Sequence, residues 1–450
     1  MDGHLLIQNA TLILPDRVVE GDLRVSDGSI ATIAPGGGLD IVSNEAVIDA
    51  TGLHLLPGAI DPHVHFREPG STEKEDLESG SRAAAAGGVT AFLDMPNNNP
   101  NATNRATLER KIAIASKKSV THHGFFIGAT NDNITDLQSV EGMEGVCGIK
   151  IFMGSSTGDL LVDRQKQLEN IFANTGGIIA THAEDEERLQ QRSAKFEHRT
   201  DIASHAECRD VECAFLATKR AASLAKDHDH RLHIVHLTSQ KEADWLQKNK
   251  GDLITTEVCT QHLTFDQDDV ESLGERVLMN PPIRYTEDRD SLWRRLKDGT
   301  IDCVVTDHAP HTLKSKSVGF PDAPAGMPGV ETSLPLMLTH ALDGKCSVSE
   351  VVSWMCEGPA KVYGIQNKGS LIEGYDADLT LVDLETKRTI TDADTWTRVG
   401  WTPYDGMELT GWPRYTIVDG EIVHKREENG PLRGLPVALP GSVGRALRFG

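Results

Sequence analysis

Apolar and polar positions follow two different rhythms along the chain. At the N-terminal end, LLIQNATLIL (5–14), GDLRVSDGSIATIA (21–34) and AVIDATGLHLL (46–56) are short apolar or alternating runs. Asp-Gly and Gly-Gly pairs break them, and that combination predicts strands joined by turns. Residues 368–425 repeat the style in GSLIEGYDADLTLVDLE and in RYTIVDGEIVHK with its central Asp-Gly. The middle runs differently. Eight apolar stretches recur there, separated by polar, helix-compatible segments. They are residues 54–66, 89–96, 122–129, 148–154, 177–184, 231–239, 252–263 and 301–311.

Apolar runs alternating with helical stretches predict a parallel sheet, and eight repeats predict a (β/α)₈ barrel of the TIM type. The expected fold is therefore α/β, with a small β-sandwich domain built from both termini. Residues 1–56 and 368–450 supply that small domain, and 57–367 form the barrel inserted between them. The tail 426–450, rich in Gly, Pro and Arg, is expected to be irregular.

Composition narrows the function classes. The 450 residues carry 45 basic and 67 acidic side chains, a net charge of −22. That balance argues against nucleic-acid or anionic-membrane partners, which need a basic face. No run of about 18 apolar residues exists to span a membrane. The opening MDGHLLIQNATLILPD lacks the basic region and long apolar stretch of a signal peptide. Seven scattered cysteines, none in C-x-x-C spacing, read as reduced thiols, so a cytoplasmic location is expected. No dinucleotide or P-loop fingerprint occurs.

Polar residues gather where the apolar runs end, which in such barrels is where sites are built. His63, His65 and Arg67 end the first run, Asn97 the second, His182 the fifth, His236 the sixth and Asp307 the eighth; Lys150 lies in the fourth. Six of eight runs contributing such a residue is hard to explain as solvated surface. His63 and His65 are two apart, so in a strand they share a face. Joined by His182, His236 and Asp307, they form an imidazole–carboxylate set that suits Zn²⁺ or another first-row divalent ion. Lys150 fits that cluster poorly as a cation, and composition alone favours a paired or solvent-facing lysine.

The motifs DPHVHFREPG (61–70), DMPNNNP (94–100), GIKIFMGSSTG (148–158), THAEDE (181–186), IVHLTS (234–239), MNPPIR (279–284) and TDHAPH (306–311) together resemble the dihydroorotases of the amidohydrolase superfamily. GVET (329–332) and GYDADLTLVD (374–383) extend the likeness across nearly the whole chain. The resemblance implies a metal-dependent barrel enzyme that reversibly cyclises N-carbamoyl-L-aspartate to L-dihydroorotate in pyrimidine biosynthesis. It implies two Zn²⁺ per chain: His63, His65 and Asp307 on the first, His182 and His236 on the second. Lys150, as N6-carboxylysine, would bridge both. Asp307 is implied as general acid/base towards a hydroxide bridging the metals. Arg67, Asn97 and His311 would clamp the substrate carboxylate, with Asn280 and the backbone of Ala325 and Gly326 as further contacts. Asn98 departs from the usual Thr, with little consequence expected. The partner is a small-molecule substrate, and a homodimer is left possible.

The rival reading is another cyclic amidase of the superfamily: dihydropyrimidinase, hydantoinase or allantoinase. Arg67 discriminates, because a neutral ring would leave its guanidinium unpaired. His233, three residues before His236, is expected to pack elsewhere, His308 and His262 to be structural or supporting, and His122 to join no constellation. The Gly/Pro/Lys loop 312–329 is expected to lie over the substrate, part of it mobile.

Overall fold

The computed structural model describes residues 4–156, 160–428, 430–437 and 443–450. Eight parallel strands form one sheet in chain order: Ala59–Val64, Val89–Asp94, His122–Gly128, Val146–Phe152, Ile178–His182, Arg231–Ile234, Ile254–Cys259 and Cys303–Val305. Seven lie inside one of the eight apolar runs, and Val146–Phe152 starts two residues before the run at 148–154. Nearly every strand residue is buried, as expected when side chains fill the barrel and helices cover its outside.

The last strand returns to the first. Val64 bridges His308, and the His65 N–H donates to the His308 carbonyl at 2.7 Å. Asp61 seals the seam, accepting from the backbone N–H of His63 (3.2 Å) and of Thr306 (3.3 Å) and from the Thr306 hydroxyl. Burial raises its carboxyl to about 7.

Helices start where short polar side chains cap them. Asp76, Asn104, Asp185, Asp210 and Ser239 each accept from the backbone N–H three residues on. The acidic runs EDEER and DQDDVES are such starts, capped by Asp185 and Asp266.

Strands from both ends of the chain meet in a second, nine-stranded mixed sheet. Its seam joins His54–Pro57 to Leu379–Thr389, antiparallel. The sheet curls over its own core of Leu5, Ile7, Leu12, Leu23, Val25, Leu55, Leu379, Leu381 and Ile417. The C-terminal residues, though mostly without regular structure, dock on the barrel: Ala446 bridges His123, Phe449 bridges Ile365, and Leu447 is fully buried. Among the described residues no helix is long and apolar enough to cross a membrane.

Candidate active site

The candidate residues converge at the C-terminal end of the barrel. One cavity is lined by His63, His65, Arg67, Asn97, Lys150, His182, His236, Asn280, Asp307, Ala325 and Gly326. His311 sits just behind it, against Arg67. In the first cluster, Asp307 Oδ1 lies 2.9 Å from His65 Nε2 and 3.4 Å from His63 Nε2. In the second, His182 Nδ1 and His236 Nε2 are 2.9 Å apart. The rings of His63 and His236 are 5.4 Å apart and join the clusters. Lys150 Nζ is fully buried and has no hydrogen-bond partner.

Backbone conformation helps to aim these side chains. Arg67 (φ 59°), His236 (φ 39°) and Asp307 (φ 47°) are left-handed. Every other described non-glycine residue in that region is Asn or Asp, which tolerate it. An arginine and a histidine held there carry strain of the kind that collects at functional sites.

Groups the sequence did not reveal hold the histidines from behind. Glu257, on the seventh strand, lies 2.5 Å from His63 Nδ1 and 2.9 Å from His233 Nε2. His233 is therefore not mere packing: it steadies the carboxylate that steadies His63. Glu184 lies 2.9 Å from His182 Nε2 and is gripped by Arg209. Asn97 Oδ1 lies 2.7 Å from His65 Nδ1, so Asn97 orients a candidate ligand as well as lining the cavity. Burial pushes both glutamates up, but the cations and imidazoles beside them more than reverse this and hold them ionised.

The far end of the cavity is basic. The Arg67 guanidinium is buried and donates to the Pro310 carbonyl and to His311 Nε2, both at 3.3 Å. Burial lowers it to about 10, so it is charged at neutral pH. Burial, with Arg67 adding to it, lowers His311 to about 2. His311 is therefore neutral, and because its Nε2 accepts, its proton is on Nδ1, which has no partner. Asn98 does more than expected. It accepts from the buried Lys111 ammonium at 2.6 Å and donates to the Glu68 carbonyl at 3.1 Å, tying down the chain next to Arg67.

Other expectations divide. His308 is structural, accepting on Nδ1 from the N–H of Gly329 (3.0 Å) and Val330 (3.2 Å). His262 reaches the Pro281 carbonyl at 3.2 Å, beside Asn280. All seven cysteines are free, five of them buried. His122, expected to be isolated, instead faces Asp378 at 3.0 Å and Asp419 at 3.5 Å. These adjoin strands Leu379–Thr389 and Glu408–Val418 of the second sheet, far from His122 along the chain.

Comparison with known proteins agrees with this geometry. The pattern of the amidohydrolase family matches residues 54–423. The chain belongs to the amidohydrolase family. It is 34% identical to a dihydroorotase of Methanosarcina acetivorans, over 98% of this chain and 96% of that one. It is 32% identical to a dihydroorotase of Bacillus subtilis, over 90% of this chain and 94% of that one. Among solved structures, an L-hydantoinase (dihydropyrimidinase) from Arthrobacter aurescens superposes with a TM-score of 0.93 at 28% identity, covering 99% of this chain and 100% of that one.

Amidohydrolases depend on metal ions, and this donor set fits one. His63, His65 and Asp307 offer ligand atoms all within 4.8 Å of one another. In three of the four histidines the far nitrogen faces an acceptor, so the near nitrogen presents a bare lone pair. Those lone pairs point at Asp307 or at His236 across 2.9–3.4 Å. Facing lone pairs repel unless a proton or a cation lies between them. Burial also lowers His65 to about 4, and His182 and His236 below the usual imidazole value, which keeps them neutral as ligands. Asp307 is pushed up by burial, but His63, His65 and Lys150 more than offset this and it stays ionised.

Proposed function

We propose that the protein is a dihydroorotase, closing N-carbamoyl-L-aspartate to L-dihydroorotate and reopening the ring, as a cytoplasmic step of pyrimidine synthesis. The observation that carries this reading is Arg67. Among the described residues no carboxylate lies within 4 Å of its buried guanidinium, whose partners are a carbonyl and a neutral imidazole. A buried cation with no anion in contact is costly, and Asp307, Asp94 and Glu75 act on this one only at longer range. Dihydroorotate carries a ring carboxylate that supplies the anion, whereas hydantoin and dihydrouracil do not. The hydantoinase neighbours share the fold and the amide chemistry, and the dihydroorotase relatives share more of the sequence.

His63, His65 and Asp307 would hold one divalent ion, and His182 and His236 a second, with Lys150 bridging as a carbamate. The nitrogen–oxygen donors favour Zn²⁺. Bound there, the ions would lower the pKa of the attacking water and draw charge from the scissile carbonyl. Lys150 suits carbamate formation: burial lowers it to about 8 against the opposing pull of Glu257 and Asp307, so neutral amine is present near neutral pH. Asp307 takes the proton of the attacking water and returns it to the ring nitrogen that leaves, one carboxylate in two roles. Arg67, the His311 Nδ1–H and Asn97 hold the substrate carboxylate, and Asn280 with the Ala325–Gly326 backbone closes the far wall. We further assign residues 57–367 to the catalytic barrel, with 1–56 and 368–450 as its flanking β-rich segments.

The test is a ring-opening assay on dihydroorotate, dihydrouracil and hydantoin, with metal analysis of the same sample. Dihydroorotate should be strongly preferred, with two ions per chain. Equal turnover of the neutral rings would place the protein with the hydantoinases.

A further inference from the structure

Lys316 ends a short helix, Leu313–Lys316, in the loop that follows the eighth strand. It is 2% exposed. Its ammonium donates to three carbonyls: Pro324 at 2.9 Å, Gly326 at 2.9 Å and Leu278 at 3.1 Å. Among the described residues no carboxylate is within 4 Å of it; burial lowers it to about 7, Glu275 opposes this only at longer range, and the three accepting carbonyls favour the protonated form. Lys111, also fully buried, differs in having the Asp94 carboxylate at 2.5 Å. A lysine buried without a counter-ion destabilises the fold unless another advantage offsets it.

The three carbonyls belong to two loops that both reach the cavity. Leu278 lies two residues before Asn280, and Pro324 and Gly326 flank Ala325. The Gly326 N–H also donates to the Leu278 carbonyl, at 2.8 Å. Gly326 is at φ +130°, and a Cβ there would come within 2.5 Å of the Ala309 carbonyl, so the backbone passes with no slack. An ammonium carries three protons in diverging directions and can serve three acceptors at once; a planar guanidinium or an amide cannot match that arrangement.

We propose that Lys316 is a positioning residue: its ammonium knots the Leu278–Asn280 loop to the Pro324–Gly326 loop and so fixes the far wall of the substrate site. The inference uses the dihydroorotase reading for its choice of substrate. Lys316 touches no candidate metal ligand, so its loss leaves metal binding intact. It acts on ground state and transition state alike, so its loss raises KM more than it lowers kcat.

The experiment compares wild type, Lys316→Met and Lys316→Gln. Lys316→Met keeps the stem and removes every donor, and KM for dihydroorotate should rise about 10-fold or more, the scale of one lost charge-assisted hydrogen bond, with kcat within about threefold. Metal content should be unchanged. Lys316→Gln, which keeps two N–H donors, should recover part of the loss. Lys316→Ala should be partly rescued by added propylammonium, a response that a purely structural lysine would not give. An unchanged KM in a folded variant, or a fall confined to kcat, overturns the proposal. If no variant folds, hydrogen exchange on wild type decides: the Gly326 amide and residues 278–280 should open with one common free energy, and independent opening overturns the knot. A wild type that does not turn over dihydroorotate refutes the functional reading instead, and the exchange measurement still tests the knot.

Discussion

The two halves of the site are built from different material. His63, Lys150 and His182 lie within barrel strands, and His65, His236 and Asp307 lie no more than two residues beyond a strand end. Arg67 and Asn97 stand three residues past their strands, His311 six, and Ala325 and Gly326 about twenty. The proposed metal half therefore inherits the rigidity of the sheet, while the proposed recognition half hangs on loops. Strand-borne ligands can stay fixed while loops are rewritten around them. A hydantoinase backbone superposes at a TM-score of 0.93 with 28% of residues identical, so the same frame carries a largely different sequence.

The comparison can be broken at three points. Replacing Asp307 with Asn strikes the rigid half. A carboxamide cannot carry the proton, so turnover should fall by about 10³-fold in both directions, within the usual range for a lost acid–base group. The fold should be kept, as circular dichroism would show. Near wild-type rates would remove Asp307 from the chemistry.

Arg67→Met strikes the loop half. Its cost should be about 100-fold in kcat/KM for dihydroorotate, or about 2.7 kcal/mol at 1.36 kcal/mol per tenfold. Metal content should not change. The small rate on dihydrouracil should not fall in parallel, since that ring has no carboxylate to lose. A parallel fall would mean that Arg67 supports the metal half, and the division would collapse.

The smallest effect concerns pH. A carbamate forms from neutral amine, and Lys150 is lowered to about 8. Its neutral fraction therefore rises as pH increases. Metal-free protein given Zn²⁺ and the same concentration of dissolved CO₂ at each pH should regain activity about 10-fold faster at pH 9 than at pH 7. A lysine at its ordinary value of 10.4 would instead give a rise of roughly 100-fold over the same interval. A rate independent of pH would show that carboxylation of Lys150 does not limit assembly.

Legibility in the sequence follows the same division. The eight strands were legible because a doubly covered strand must be a continuous apolar run, and its polar terminus then stands out. Motif resemblance brought in Lys150, whose role no local rule reveals. What stayed hidden depends on contacts between distant segments. Glu257 sits in ITTEVC like any strand residue, and only the closed barrel brings it 2.5 Å from His63. Arg209 and Glu184 are 25 residues apart and meet across a connection. His122 looked solitary because its carboxylate neighbours, Asp378 and Asp419, come from the far end of the chain. Lys316 read as a loop lysine, since burial of an ammonium is a property of the folded surroundings and not of the local sequence.

The seam between His54–Pro57 and Leu379–Thr389 has a consequence for biogenesis. The N-terminal strands leave the ribosome first, yet the partner of their seam follows roughly 320 residues later. At about 5–20 residues per second that is a wait of roughly 15–65 s with an open strand edge. The barrel can close in the meantime, because its strands pair in chain order. The small sheet is then completed last, on a finished barrel, and the nascent chain is most exposed to mispairing at its oldest end.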